Sequence, residues 1–156
     1  MANEIKDKFS TDAAMTITLA SLASSTAGVG RQTDIIDNST TRYGRLIIYV
    51  KITVGTTPTA NRTIKVFAIR SDADGTTKHR SDGAGASDAA LTVKNAVLLG
   101  VIFVDAATSD TAYYGEFVFD TPGPEWGIAI THDTAVNLNA TGSNHWIRYI
   151  GVNPEI

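Results

Sequence analysis

Apolar and polar residues alternate along much of this chain, and the period of the alternation is two. Residues 45–54 set Leu46, Ile48, Val50, Ile52 and Val54 on one side and Arg45, Ile47, Tyr49, Lys51 and Thr53 on the other, which is the pattern of a strand with one buried face. Residues 63–70 repeat it, with Ile64, Val66 and Ala68 opposed to Lys65, Phe67 and Ile69. Gly55, Pro58 and Asn61 punctuate the stretch between them, so the two segments are expected to pair as an antiparallel hairpin with a long tip. Residues 113–119 alternate Tyr113, Phe117 and Phe119 against Tyr114, Glu116 and Val118, and residues 126–131 oppose Trp126, Ile128 and Ile130 to the small Gly127 and Ala129. Weaker strand patterns occupy 14–22, 29–36, 137–141 and 145–152. Residues 91–104 differ: their apolar run is continuous from Val97 to Leu99 and from Val101 to Val104, as in a strand covered on both faces.

These segments amount to about eight or nine strands at the spacing of sandwiches and barrels. The pattern predicts an all-β protein, an antiparallel two-sheet sandwich that is jelly-roll-like. No long segment has helical periodicity, and no fixed-period repeat points to a propeller or solenoid. Composition agrees. Thr occurs 21 times and Glu four times, against twelve Asp, so β-branched residues and turn formers replace straight-chain helix formers. At 156 residues the chain fits one domain, expected over 13–156, with a core that needs no disulfide. A polar arm, flexible or ordered by a partner, is expected over 1–12. The Gly-, Ser- and Asp-rich stretch 71–90 is predicted to be a long loop, a length that is often functional or mobile.

Charge and chemistry narrow the function classes. The net charge is −3 and no basic stripe is present, which argues against a nucleic-acid partner. No apolar run reaches the ~18–20 residues of a membrane helix, and residues 13–27 are too diluted by Ser and Thr for a secretory signal. Cysteine is absent, which excludes thiol catalysis, Cys-ligated zinc and iron–sulfur clusters. The histidines, His79, His132 and His145, lie 53 and 13 residues apart and match no metal motif. Asp72-Ala73-Asp74-Gly75 looks like the opening of a calcium loop. With Gly75 as the sixth position, however, Arg70 and Ser81 stand where the first and twelfth acids belong. No nucleophile motif occurs, and Glu116 and Glu125 read as a solvent-facing strand residue and a turn residue. No enzymatic activity, cofactor or metal is expected.

Aromatic residues leave three openings. Trp126 and Trp146 begin strands and suit sugar stacking, core packing or a subunit interface. The pairs Ile47/Tyr49 and Phe67/Ile69 add apolar side chains to faces opposite the main core, which calls for a cover that another subunit can supply. The stretches 19–31 (LASLASSTAGVGR), 54–61 (VGTTPTAN), 64–75 (IKVFAIRSDADG), 98–104 (LLGVIFV), 117–122 and 140–145 (ATGSNH) resemble tailed-bacteriophage virion proteins, in particular the small jelly-roll capsid decoration (cement) proteins. The resemblance implies a non-enzymatic protein, commonly a homotrimer, made in the host bacterial cytoplasm. It would bind the major capsid protein on the outer surface of the virion shell and tie neighbouring capsomers together, often with a terminal arm over an adjoining subunit. Met1, Ile5 and Phe9 of the arm, with Tyr49, Phe67, Trp126 and Trp146 on strands, are the candidate contact residues. The competing expectation is a carbohydrate- or receptor-binding module of a phage tail or fibre.

Overall fold

The computed structural model describes residues 5–71, 90–94 and 96–155. They form β1 (Lys6–Phe9), β2 (Ala13–Met15), β3 (Val29–Gln32), β4 (Ile36–Asp37), β5 (Arg45–Thr53), β6 (Arg62–Ser71), β7 (Leu91–Thr92), β8 (Val97–Val104), β9 (Ala112–Asp120), β10 (Glu125–His132) and β11 (Trp146–Glu155), with one 3-10 turn at Gly142–Asn144. Every strand pairing is antiparallel. One sheet runs β1-β11-β5-β9 with β2 also on β11; the other runs β7-β3-β10-β6-β8 with β4 also on β10. No helix among the described residues is long and apolar enough to cross a membrane.

The connectivity has a simple logic. Take β1/β2 as one interrupted strand and β3/β4 as another, and set the two-residue β7 aside. The first strand then pairs with the last, β3/β4 with β10, β5 with β9 and β6 with β8. The chain is one long hairpin with its tip between β6 and β8, rolled up so that β11 also meets β5 and β10 meets β6. This is a jelly roll, with nested pairs divided between two facing sheets.

The core lies between the sheets. Leu46, Ile48, Val50 and Ile52 of β5 and Ile64, Val66 and Ala68 of β6 are buried, together with Trp126, Ile128 and Ile130 of β10. The faces read from the period of two are therefore correct. The expected hairpin between residues 45–54 and 63–70 is not: β5 and β6 belong to opposite sheets. Either arrangement would bury the same two faces; here both edges of β5 are taken by β9 and β11 and both edges of β6 by β8 and β10, so the two strands meet across the core instead. The linker between them is anchored at one end of the sandwich, where Thr59 N–H donates to Thr134 O (2.9 Å) and Asn61 N–H to Val104 O (2.8 Å).

Three further segments depart from expectation. Of the 14–22 region only Ala14 and Met15, the end of β2, join a ladder; beyond them the chain crosses between sheets, held by Thr16 N–H to Asp34 Oδ1 (3.0 Å) and by Arg31 Nη1 to the carbonyls of Thr18 and Ala20 (both 2.9 Å). Residues 137–141 contribute a single bridge, Leu138 to Val54. The polar arm is partly a strand of its own chain, since Lys6–Phe9 pairs with Val152–Glu155, the half of β11 that β2 leaves open. The expected loop at 71–90 falls almost wholly outside the described residues.

Candidate interaction surface

Register defines what the outer face of the first sheet presents. Across β9, β5 and β11 run four rows: Tyr114–Lys51–Trp146, Glu116–Tyr49–Arg148, Val118–Ile47–Ile150 and Asp120–Arg45–Val152. The first row carries exposed Tyr114 with half-buried Trp146, ring centroids 6.3 Å apart and tilted by 59°. The third row is entirely apolar. Arg45 Nε meets Asp120 Oδ1 at 2.7 Å, and Arg148 meets Asp12 at 2.6 Å; both pairs are solvent-exposed, where water and salt screen the attraction.

The seam between the sheets is closed by Phe117. A Cβ on Gly100 of β8 would lie 2.5 Å from the Phe117 ring, and one on Gly115 of β9 would lie 2.6 Å from it. The ring fills the space those two glycines leave, which brings β8 and β9 together on one side of the sandwich. That side carries six of the eight exposed large apolar side chains of the described residues. Val97, Leu98, Val101 and Phe103 of β8 are 46%, 49%, 46% and 55% exposed, and Tyr114 and Val118 of β9 are 65% and 53% exposed. The continuous apolar run of β8 is thus not a strand covered on both faces but the edge of its sheet, next to β6 alone among the described residues. Hydropathy cannot tell a central strand from an uncovered edge.

The sequence-predicted contact residues do not gather on one surface. Ile5 and Phe9 are exposed, with Phe9 opposite Val152 at one rim of the first sheet. Tyr49 and Trp146 share that sheet's outer face. Phe67 is half-buried on the second sheet, opposite Leu98, and Met1 lies outside the described residues. Trp126 is corrected outright: it is 0% exposed, edge-on to Tyr149 at 4.9 Å and to Phe119 at 6.2 Å. Its phase matches Ile128 and Ile130, so it points inward. Ile69 is also fully buried within the chain and needs no partner to cover it.

Polar side chains with chemical potential are built into the scaffold. His145 Nδ1 accepts the Thr53 N–H (3.3 Å) while Nε2 faces Asn139 O (2.9 Å). His132 Nε2 faces Leu22 O at 2.9 Å and Nδ1 lies 3.0 Å from Thr134 Oγ1. Burial holds both imidazoles below the ordinary histidine range. His79 lies outside the described residues, and among those described no cluster of three His, Asp or Glu is placed to hold a metal. Buried Asn38 donates to Tyr43 O and Gly123 O and accepts from Tyr43 N–H and Thr41 Oγ1. An open cavity of about 410 Å³ at one end of the sandwich is lined by Ser21, Thr56, Asp110, Asn139 and Thr141 among others. Two of its polar side chains are engaged with each other, Asn139 Nδ2 donating to Asp110 Oδ1 at 2.6 Å, and Asn139 Oδ1 accepts from Thr141 N–H and Asn144 Nδ2. No protein-family model matches the chain, and no curated protein matches it.

Proposed function

We propose that this chain is a non-enzymatic structural protein of a tailed-phage virion, a capsid decoration protein that binds the major capsid protein outside the shell and stabilises contacts between capsomers. One observation carries the reading: the exposed large apolar side chains of the described residues fall on the edge strands β8 and β9 and at β1, while the described histidines and the buried Asn38 are tied into the scaffold. Apolar side chains gathered on strand edges suit contact with other proteins rather than enclosure of a small substrate. The jelly roll supplies a rigid frame for such contacts, and the absence of cysteine suits assembly in a reducing bacterial cytoplasm. Co-sedimentation with shells assembled from capsid protein alone tests it. Saturable binding at fixed stoichiometry, with a raised temperature of shell disassembly, is expected; shells that sediment without the protein overturn the proposal.

A second reading rests on the Tyr114–Trp146 pair, two aromatic rings at the surface of a sheet face beside Lys51, Glu116 and Arg148. It assigns the face to glycan recognition. A glycan array with hits that vanish in Trp146→Ala and Tyr114→Ala supports it, and an array without hits removes it.

A further inference from the structure

The two sheets have four lateral edges, and three carry the devices that keep strands from pairing with other chains. Among the described residues the β1 edge bears Lys6, Asp7 and Lys8, the β9 edge bears Glu116 and Asp120, and the edge beside β3 is broken into β7 and β4, each two residues long. The fourth, β8, is eight residues long, VLLGVIFV, without a charge or a proline. Its one irregularity is a register shift opposite Val66 and Phe67, after which Gly100–Val104 runs regularly against β6. A strand of eight residues extends about 26 Å, and its side away from β6 pairs with no strand among the described residues.

We propose that β8 pairs antiparallel with β8 of a second copy of this chain across a two-fold axis, joining the two six-stranded sheets. The strand is its own complement: with no charge at any position, no register sets like charges opposite each other. Its outer side chains favour one register. Val101 and Phe103 point to the outer face beside Lys65 and Thr63, while Ile102 turns inward beside Ile64. An axis through Ile102 sets Val101 opposite the copy's Phe103 twice, a branched–aromatic cross-strand pair of the kind that stabilises sheets. Two described charges lie close by: Asp105, which follows the strand, accepts from Tyr113 Oη (3.0 Å) and would stand opposite the copy's Leu99 in this register, and Lys65 lies on β6. The two copies of Lys65 would stand three strand spacings apart, about 14 Å, beyond the ~8 Å screening length at physiological salt. A foreign strand would find no charge on this edge by which to be selected, whereas a second copy needs none. The contact is isologous, so it predicts two copies rather than the three that the cement-protein resemblance implies, and it stands independently of the capsid reading.

Light scattering on the size-exclusion peak tests the proposal at up to ~100 μM protein, where a micromolar dissociation constant is saturated. The expected mass is twice the 16.5 kDa of the chain. Val101→Lys should return the monomer mass with the wild-type circular dichroism spectrum, and Val118→Lys on β9 should leave the doubled mass unchanged. Should Val101→Lys not fold, amide exchange of the wild-type protein decides. β8 amides should slow by tenfold or more between dilute and concentrated samples while β9 amides do not change. A wild-type monomer or trimer, a dimer that survives Val101→Lys, or loss of the dimer in Val118→Lys overturns the proposal.

Discussion

His145 can form both of its hydrogen bonds only as the neutral imidazole. Asn139 O accepts and so requires a proton on Nε2, while the Thr53 N–H donates and so requires Nδ1 to be bare. A second proton on Nδ1 would face the Thr53 donor and lose the bond that ties the end of β5 to the turn before β11. His132 is more deeply buried, and desolvation is the main cause of its lowered pKa; for His145, burial comes first and the charge of Lys51 adds to it. The unfolded chain, with histidines near the ordinary value of about 6.5, therefore takes up protons that the folded chain refuses. Stability is full above about pH 6.5 and falls as pH drops through that value toward the depressed folded values. Urea midpoints should fall between pH 7.5 and 5.5, and less steeply in His132→Gln/His145→Gln; equal slopes in the two proteins would rule this out. Neither role was legible in the sequence. The spacing of His132 and His145 gave no sign of their partners, which are groups of Leu22, Thr53, Thr134 and Asn139 that only folding brings near. Trp126 is the opposite case: its phase with Ile128 and Ile130 already pointed inward, and its aromatic character alone suggested a surface role.

At the scale of elements, the β8–β9 seam turns on Phe117 between Gly100 and Gly115. With glycine on both strands the ring has nowhere to retreat, so Gly115→Val should cost about 1–3 kcal/mol through overpacking. The loss should shrink in a Phe117→Leu background, because the two changes share one contact. A double-mutant cycle in urea checks this, and additivity would show that Phe117 does not set the fit. The two strands also mark how far hydropathy carries. The alternation on β9 separated buried Phe119 from exposed Tyr114, Glu116 and Val118, because each face of a strand has one environment. On β8 the same kind of reading failed: a wholly apolar strand matches a covered central position and an open edge equally well, and only the absence of a second neighbour distinguishes them.

For the whole molecule, the rolled hairpin makes nearly every pairing distant in sequence, with Lys6 opposite Glu155 and Ile147 opposite Met15. Loop closure must precede the contacts that reward it, so folding is expected over milliseconds to seconds rather than microseconds. Stopped-flow refolding measures it, and a microsecond phase carrying the full amplitude would contradict the topology. The sequence by itself determined the all-β class and the inward faces of β5, β6, β9 and β10, because side-chain period and residue type are local properties. Tertiary structure alone decided that β5 and β6 face each other instead of pairing, that His132 and His145 serve the scaffold and that β8 has β6 as its one neighbour among the described residues. Each of these depends on which strand lies beside which, and a period of two says nothing about neighbours across an edge or a layer.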